Sequence, residues 1–372
     1  IRAERIDLSV FSYSDVSYDD VMHLASICNA VGSDFLLLGA ARTMLSTTVP
    51  VIAVTAVRTG AGKSQTTRFI SKKLAAMGTR AVAIRHPMPY GNLERQAVQR
   101  FASYDDLDRE NCTIEEREEY EPHIDNGFVV FAGADYGRIL ERVEREAEVI
   151  LWDGGNNDLP FYVPTLHICV ADPHRAGHER SYYSGETNFR LADLIVINKC
   201  DSAEEENIGR IESSAAELNP HARVIRARSP IVLDAPELVQ GQRVLVIEDG
   251  PTLTHGGMRF GAGVVAARAA GASEIVDPEP YAVGSIRETF AKYPNARGIL
   301  PAMGYNEAQI RELEETIRRT PCDAIVIGTP IDLRRVLRLE TPATRARYEL
   351  EEVTPGAIER EISKARLAPA PV

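Results

Sequence analysis

Lys63 and Ser64 close a short glycine loop, Arg58-Thr59-Gly60-Ala61-Gly62-Lys63-Ser64, whose residue types and spacing suit phosphate chemistry. A lysine in that place reaches the β and γ phosphates of a nucleotide, and the serine hydroxyl ligates Mg²⁺. Gly60 and Gly62 let backbone N–H groups approach phosphate oxygens with no Cβ in the way. Thr59, Ala61 and Gln65 complete the stretch expected to wrap the nucleotide. The pattern G-x-x-x-x-G-K-[ST] wants its first glycine at position 57, where the chain has Val57. The variant K-G-G-x-G-K-[ST] fits better, with Arg58 in the place of its signature lysine and Thr59 in that of a glycine. In that variant the signature residue reaches the γ-phosphate, often of a partner's nucleotide, so a homodimer is expected.

Other chemical residues stand at the ends of apolar runs. Ala147–Asp153 ends in Asp153, where a carboxylate of the Mg²⁺ shell is expected beside Ser64. Gly154-Gly155-Asn156-Asn157-Asp158 follows at once and could pass under the γ-phosphate. Asn198-Lys199-Cys200-Asp201 closes another apolar run and reads as the N-K-x-D signature for guanine. Asp201 would accept from N1–H and N2–H₂, which adenine does not offer, so GTP is preferred over ATP on this reading. Arg85-His86, the loop holding His174, Arg175, His178 and Arg180, and the glycine-rich loop of residues 248–263 with Thr252, Thr254, His255 and Arg259 each follow a predicted strand. Guanidinium and imidazole groups there would meet a second anionic ligand. The spacing of His174 and His178 also mimics a zinc pair, but Pro173 and Gly177 break the helix that such a pair needs. Lys63, Arg58, Asp153, Arg85, His86 and Arg175 are the catalytic candidates.

These residues need a scaffold of strands and helices. Val51–Ala56 reads as a buried parallel strand, the loop breaks it, and Gln65–Leu74 carries helical spacing. Alternating strands and helices continue to about residue 236, the pattern of a parallel sheet covered on both faces. The fold class is α/β. Residues 1–47 contain two short strands and one helix, Leu8–Tyr13, Tyr18–Val31 and Asp34–Leu38, and are expected to be the remnant of an N-terminal Rossmann-like domain. Residues 48–240 are the P-loop domain and residues 241–372 a smaller α/β domain. The acidic stretch Phe101–His123 reads as a solvated helix and lid. Arg334, Arg335, Arg338, Arg345 and Arg347 read as the solvated face of a C-terminal helix.

The chain has 372 residues, a formal charge of −12 and 26% charged residues. That length allows two or three domains. The acidic balance argues against a nucleic-acid partner, and no run is long enough for a membrane span. Five isolated cysteines with no C-x-x-C pair suit reduced thiols in a cytoplasmic protein.

With these motifs in hand, the chain resembles the cyclic 2,3-diphosphoglycerate synthetases and related predicted GTPases. The resemblance runs through V-R-T-G-A-G-K-S, R-H-P-M-P-Y-G, E-E-R-E-E-Y-E-P-H-I, L-W-D-G-G-N-N-D, D-P-H-R-A-G-H-E, N-K-C-D and E-D-G-P-T-L-T-H-G-G, over roughly residues 50–260. It implies a phosphoanhydride ring closure on a doubly phosphorylated glycerate, driven by ATP. Arg85, His86, His174, Arg175, His178, His255 and Arg259 would hold that substrate. A GTPase switch or metallochaperone-like protein, and a 2-phosphoglycerate kinase, are the alternatives.

Overall fold

In Val51–Ala56, small and β-branched residues follow one another without alternation, which suits a strand covered on both faces; all six are buried. In the computed structural model this strand pairs in parallel with Val149–Asp153 on one side and Leu166–Ala171 on the other. Parallel pairing continues to Ala81–Arg85 in one direction and through Leu194–Ile197 to Arg223–Arg228 in the other. Glu351–Glu352 adds an antiparallel edge beside Arg223–Arg228, and Val129–Ala132 and Gln99–Phe101 complete a nine-stranded sheet. Parallel neighbours require crossovers, and the helix Lys63–Ala76 is the first of them. Its Ile70 and Leu74 are fully buried in a core with Ile52, Val54, Leu151 and Ile168. The P-loop sheet expected from the sequence is present. The structure describes residues 1–86, 88, 92–155, 158–254, 258–304 and 306–365.

The chain divides into two compact units, where the sequence reading expects three in succession. One comprises residues 1–99, 131–229 and 350–372; the other comprises residues 100–130 and 230–349. Residues 1–47 fall in the first unit. Leu8–Phe11 and Asp34–Leu37 pair in parallel there, with the helix Tyr18–Ala30 between them in the chain.

The second unit has its own sheet. Arg243–Asp249 is flanked in parallel by Ala324–Gly328 on one side, and by Glu274–Ile275 and Leu300–Ala302 on the other. Ala343–Tyr348 and Ile231–Leu233 extend it. Two sequence expectations change here. Arg345 and Arg347 lie on the strand Ala343–Tyr348, and Arg334 and Arg335 on a short 3₁₀ turn, so these arginines do not face one C-terminal helix. The acidic stretch is no solvated lid either. It forms the helices Tyr104–Arg109 and Ile114–Ile124, and Glu115, Glu116, Glu118, Glu121 and His123 are buried. Pairing explains part of this: Arg117 reaches Glu121 at 3.1 Å and Arg335 reaches it at 3.4 Å.

One core histidine makes the first unit sensitive to acid. His167 is 2% exposed and its Nε2 lies 2.9 Å from Thr55 Oγ1. Burial pulls its pKa from 6.5 to about 4. The unfolded chain therefore binds a proton first, so stability is full above pH 6.5 and falls as pH drops toward 4. The slope from this ring approaches roughly 1.4 kcal/mol per pH unit. Urea unfolding at pH 7 and pH 5 checks it; His167→Gln should flatten the difference.

Candidate functional site

Gly62 is the hinge of the phosphate loop. Its φ is +112°, and an added Cβ would lie 2.0 Å from Asn198 Nδ2 and 2.5 Å from Gln65 Nε2. Only glycine fits there, both for the dihedral and for the approach. The helix Lys63–Ala76 begins at the next residue, so its free N–H groups and the positive end of its dipole face the loop. Ser64 stands in that first turn, half-buried.

Lys63 points at the end of the neighbouring strand. Its Nζ lies 3.1 Å from Asp153 Oδ1, and the Arg85 guanidinium lies 2.7 Å from Asp153 Oδ2. Both carboxylate oxygens thus carry a cation. Arg85 is 1% exposed, so it is directed inward at Asp153 and not outward at a second ligand. His86, the next residue, sits 3.9 Å from Asp158 Oδ2 through its Nδ1. Burial pulls its pKa to about 4 against the opposing pull of Asp158, leaving the ring neutral at pH 7.

The N-K-x-D segment braces the loop from behind. Asn198 Nδ2 donates to the Ala61 carbonyl at 3.0 Å, and Lys199 Nζ to the Gly60 carbonyl at 2.7 Å. Lys199 also pairs with Asp172 at 2.8 Å, and Arg175 pairs with the same oxygen at 3.2 Å. Burial alone would raise the Asp172 carboxyl; the two cations outweigh it and hold it below the ordinary range. Asp201 is exposed and accepts from the Ser229 N–H at 2.9 Å, while Ser229 Oγ donates to Gln65 at 3.1 Å.

Arg58 has partners of its own. It pairs with Asp15 at 2.5 Å, donates to His178 Nδ1 at 2.8 Å and lies 3.7 Å over the Tyr182 ring. Burial, with Arg58 and Arg175 nearby, brings His178 down to about 4, which keeps Nδ1 an acceptor. His174 instead meets Ser202 Oγ at 2.9 Å. His174 and His178 lie on separate 3₁₀ turns, and among the described residues no His/Cys/Asp/Glu group is arranged for a metal ion. Arg259 is exposed in the second unit, and His255 lies outside the described residues.

Asp15, Asp172 and Tyr182 belong to this site, and sequence reasoning did not select them. Asp172 had a signal, since it follows an apolar strand as Asp153 ends one. Asp15 had none, lying 43 residues before Arg58 with no local pattern.

The comparisons with known proteins support the P-loop NTPase fold. The family described as CobW/HypB/UreG, nucleotide-binding domain, matches residues 156–226. A protein of Thermococcus kodakarensis named arginine synthetase ArcE is 61% identical over 353 residues, covering 95% of this chain and 79% of that protein. The chain belongs to the family of arginine synthetase ArcE. Its fold is similar to that of LpxK from Aquifex aeolicus, solved in complex with ATP, with a TM-score of 0.53 and 12% identity over 93% of this chain and 96% of that one. The chain thus has a P-loop NTPase fold with a nucleotide-binding domain, in a family with a member named a synthetase. Among the described residues no helix is long and apolar enough to cross a membrane.

Proposed function

We propose that this chain is a nucleotide-dependent synthetase that forms arginine. The observation that carries the reading is the 61% identity, over 95% of the chain, to a protein of that name. The Lys63–Asp153–Arg85 cluster beside a phosphate loop supports it. Arginine differs from its ureido counterpart, citrulline, by one nitrogen in place of oxygen. A ureido carbon is a poor electrophile, and a phosphoryl group on its oxygen turns that oxygen into a leaving group that ammonia can displace. The balance is citrulline, ammonia and nucleoside triphosphate to arginine, nucleoside diphosphate and phosphate.

In this reading Lys63 and the loop N–H groups hold the phosphates, and catalysis is positioning and charge stabilisation. Ser64 and Asp153 are the residues that would hold a Mg²⁺ ion and its water shell. Mg²⁺ would supply charge neutralisation between the phosphates. Lys199 sets the loop at the Gly60 carbonyl, and Arg175 shares Asp172 with it. In the variant loop the counterpart of Arg58 acts across a homodimer; here it would first have to leave Asp15 and His178.

The test is arginine formation from citrulline and ammonia with Mg²⁺ and either ATP or GTP, with phosphate released in equal amount. No arginine with either nucleotide would sink the reading. Phosphorus NMR with 2,3-diphosphoglycerate and with 2-phosphoglycerate in parallel decides the phosphoglycerate synthetase, which the shared motifs favour, and the kinase alternative. Hydrolysis indifferent to every small molecule would favour a GTPase switch. For base choice, Asp201→Asn should reduce a preference for GTP or shift it toward xanthine nucleotides, as read by calorimetry. Tight ATP binding indifferent to Asp201 would assign that residue to holding Ser229 alone.

A further inference from the structure

Gly155 carries no side chain, and the His86 ring takes the space that one would fill: a Cβ there would lie 1.4 Å from His86 Nδ1. The ring therefore packs two residues beyond Asp153, at the carboxyl ends of the strands, where Arg85 stands opposite Asp153 and Lys63 reaches it at 3.1 Å. Open parallel sheets take their ligands beyond these strand ends.

Beside the ring is a carboxylate that is itself held in place. The Asp158 N–H donates to the Gly155 carbonyl at 2.7 Å, and its Oδ1 accepts from Ser14 Oγ at 2.8 Å. The other oxygen, Oδ2, faces His86 Nδ1 at 3.9 Å. That is about 1 Å too long for a hydrogen bond. Among the described residues Nδ1 is buried with no hydrogen-bond partner, and such a group calls for an explanation. The side chains of His86 and Asp158 are 17% and 24% exposed, so this pair, unlike Arg85 at 1%, is within reach of a small molecule. Catalytic pairs are often long in the empty enzyme and tighten only around substrate.

We propose that His86, oriented by Asp158, is the general base that takes a proton from the ammonium ion supplying arginine's new nitrogen. This rests on the function proposed above. Ammonium has no lone pair, and it is the main form near pH 7. One of its protons passes to His86 Nε2, and the freed nitrogen lone pair forms the bond to the ureido carbon. The bond from that carbon to the phosphorylated oxygen breaks, and its electron pair leaves with the oxygen. A second N–H proton leaves on the phosphate as hydrogen phosphate, so the product is guanidinium, and the imidazolium returns its proton to water. Burial keeps the ring unprotonated and able to accept. Closing the gap to Asp158 makes it a stronger base, because a carboxylate in contact favours the charged ring. The same contact holds the proton on Nδ1 and leaves Nε2 to react, as an aspartate does in a catalytic triad.

Turnover of the full chain with ammonium and with hydroxylamine as the nucleophile tests this at pH 7.5, with Mg²⁺, nucleotide and citrulline held constant. Hydroxylamine is already neutral there and needs no base. His86→Gln should lower kcat with ammonium about 100-fold or more, while phosphate release with hydroxylamine stays within about fivefold. Asp158→Asn should repeat the pattern with a smaller loss, about tenfold, because it acts only by positioning the ring. Added imidazole should restore ammonium turnover in His86→Gly. Unchanged ammonium turnover in His86→Gln overturns the proposal. So does an equal loss with both nucleophiles, the mark of a ring that only packs against Gly155, and so does His86→Gly that imidazole does not rescue. An unmutated chain that forms no arginine sinks the synthetase reading and this step with it. Arginine formed equally well without His86 sinks the step alone.

Discussion

Lys63→Ala should lower nucleotide turnover about 100- to 1,000-fold while the chain stays folded. On the function proposed above Lys63 is the side chain that meets the phosphates, and the helix start fixes where its stem begins. Removing one preorganised charge from a transition state has effects of that size. Folding should survive because Asp153 keeps its second cation, Arg85, at 2.7 Å. Steady-state phosphate release is the measurement. Turnover equal to the unmutated protein would refute the phosphate role of the loop.

Arg85→Ala is expected to destabilise the first unit by about 3–5 kcal/mol, the range for removing one partner of a buried ion pair. Both side chains of the pair are 1% exposed, and truncation also empties a large fully buried volume. Chemical denaturation would show a lower midpoint. Arg85→Lys should lose less, since it keeps the charge but not the planar fork. A midpoint unchanged in Arg85→Ala would return Arg85 to the role the sequence suggests, an outward contact to a second ligand.

That contrast between Lys63 and Arg85 shows what sequence does and does not carry. Arg85 ends an apolar strand and Lys63 follows one across the glycine loop, and from the sequence both read as cations facing a ligand. Whether such a side chain faces a ligand or a neighbouring strand depends on what the next strand ends in. Asp153 comes from a strand 68 residues further along, adjacent in the sheet only through parallel register, Arg85 opposite Asp153.

The sequence by itself determined the strand–loop–helix around Lys63, the α/β class and the strands that end in Asp153 and Asn198. These are local: apolar runs, glycines and helical periodicity act within about 20 residues, and chain stereochemistry does the rest. It also supplied the motifs of the second unit without their meaning. The acidic run 105–121 reads as solvated because charge normally seeks water. Only the tertiary structure buried Glu115, Glu116, Glu118 and Glu121 and assigned that run to the second unit. It likewise brought Asp15 to Arg58 and turned N-K-x-D into a brace for the loop. The reason is physical: ion pairs and buried carboxyls are set by distances of a few ångströms between segments far apart in the chain, and no local propensity encodes them.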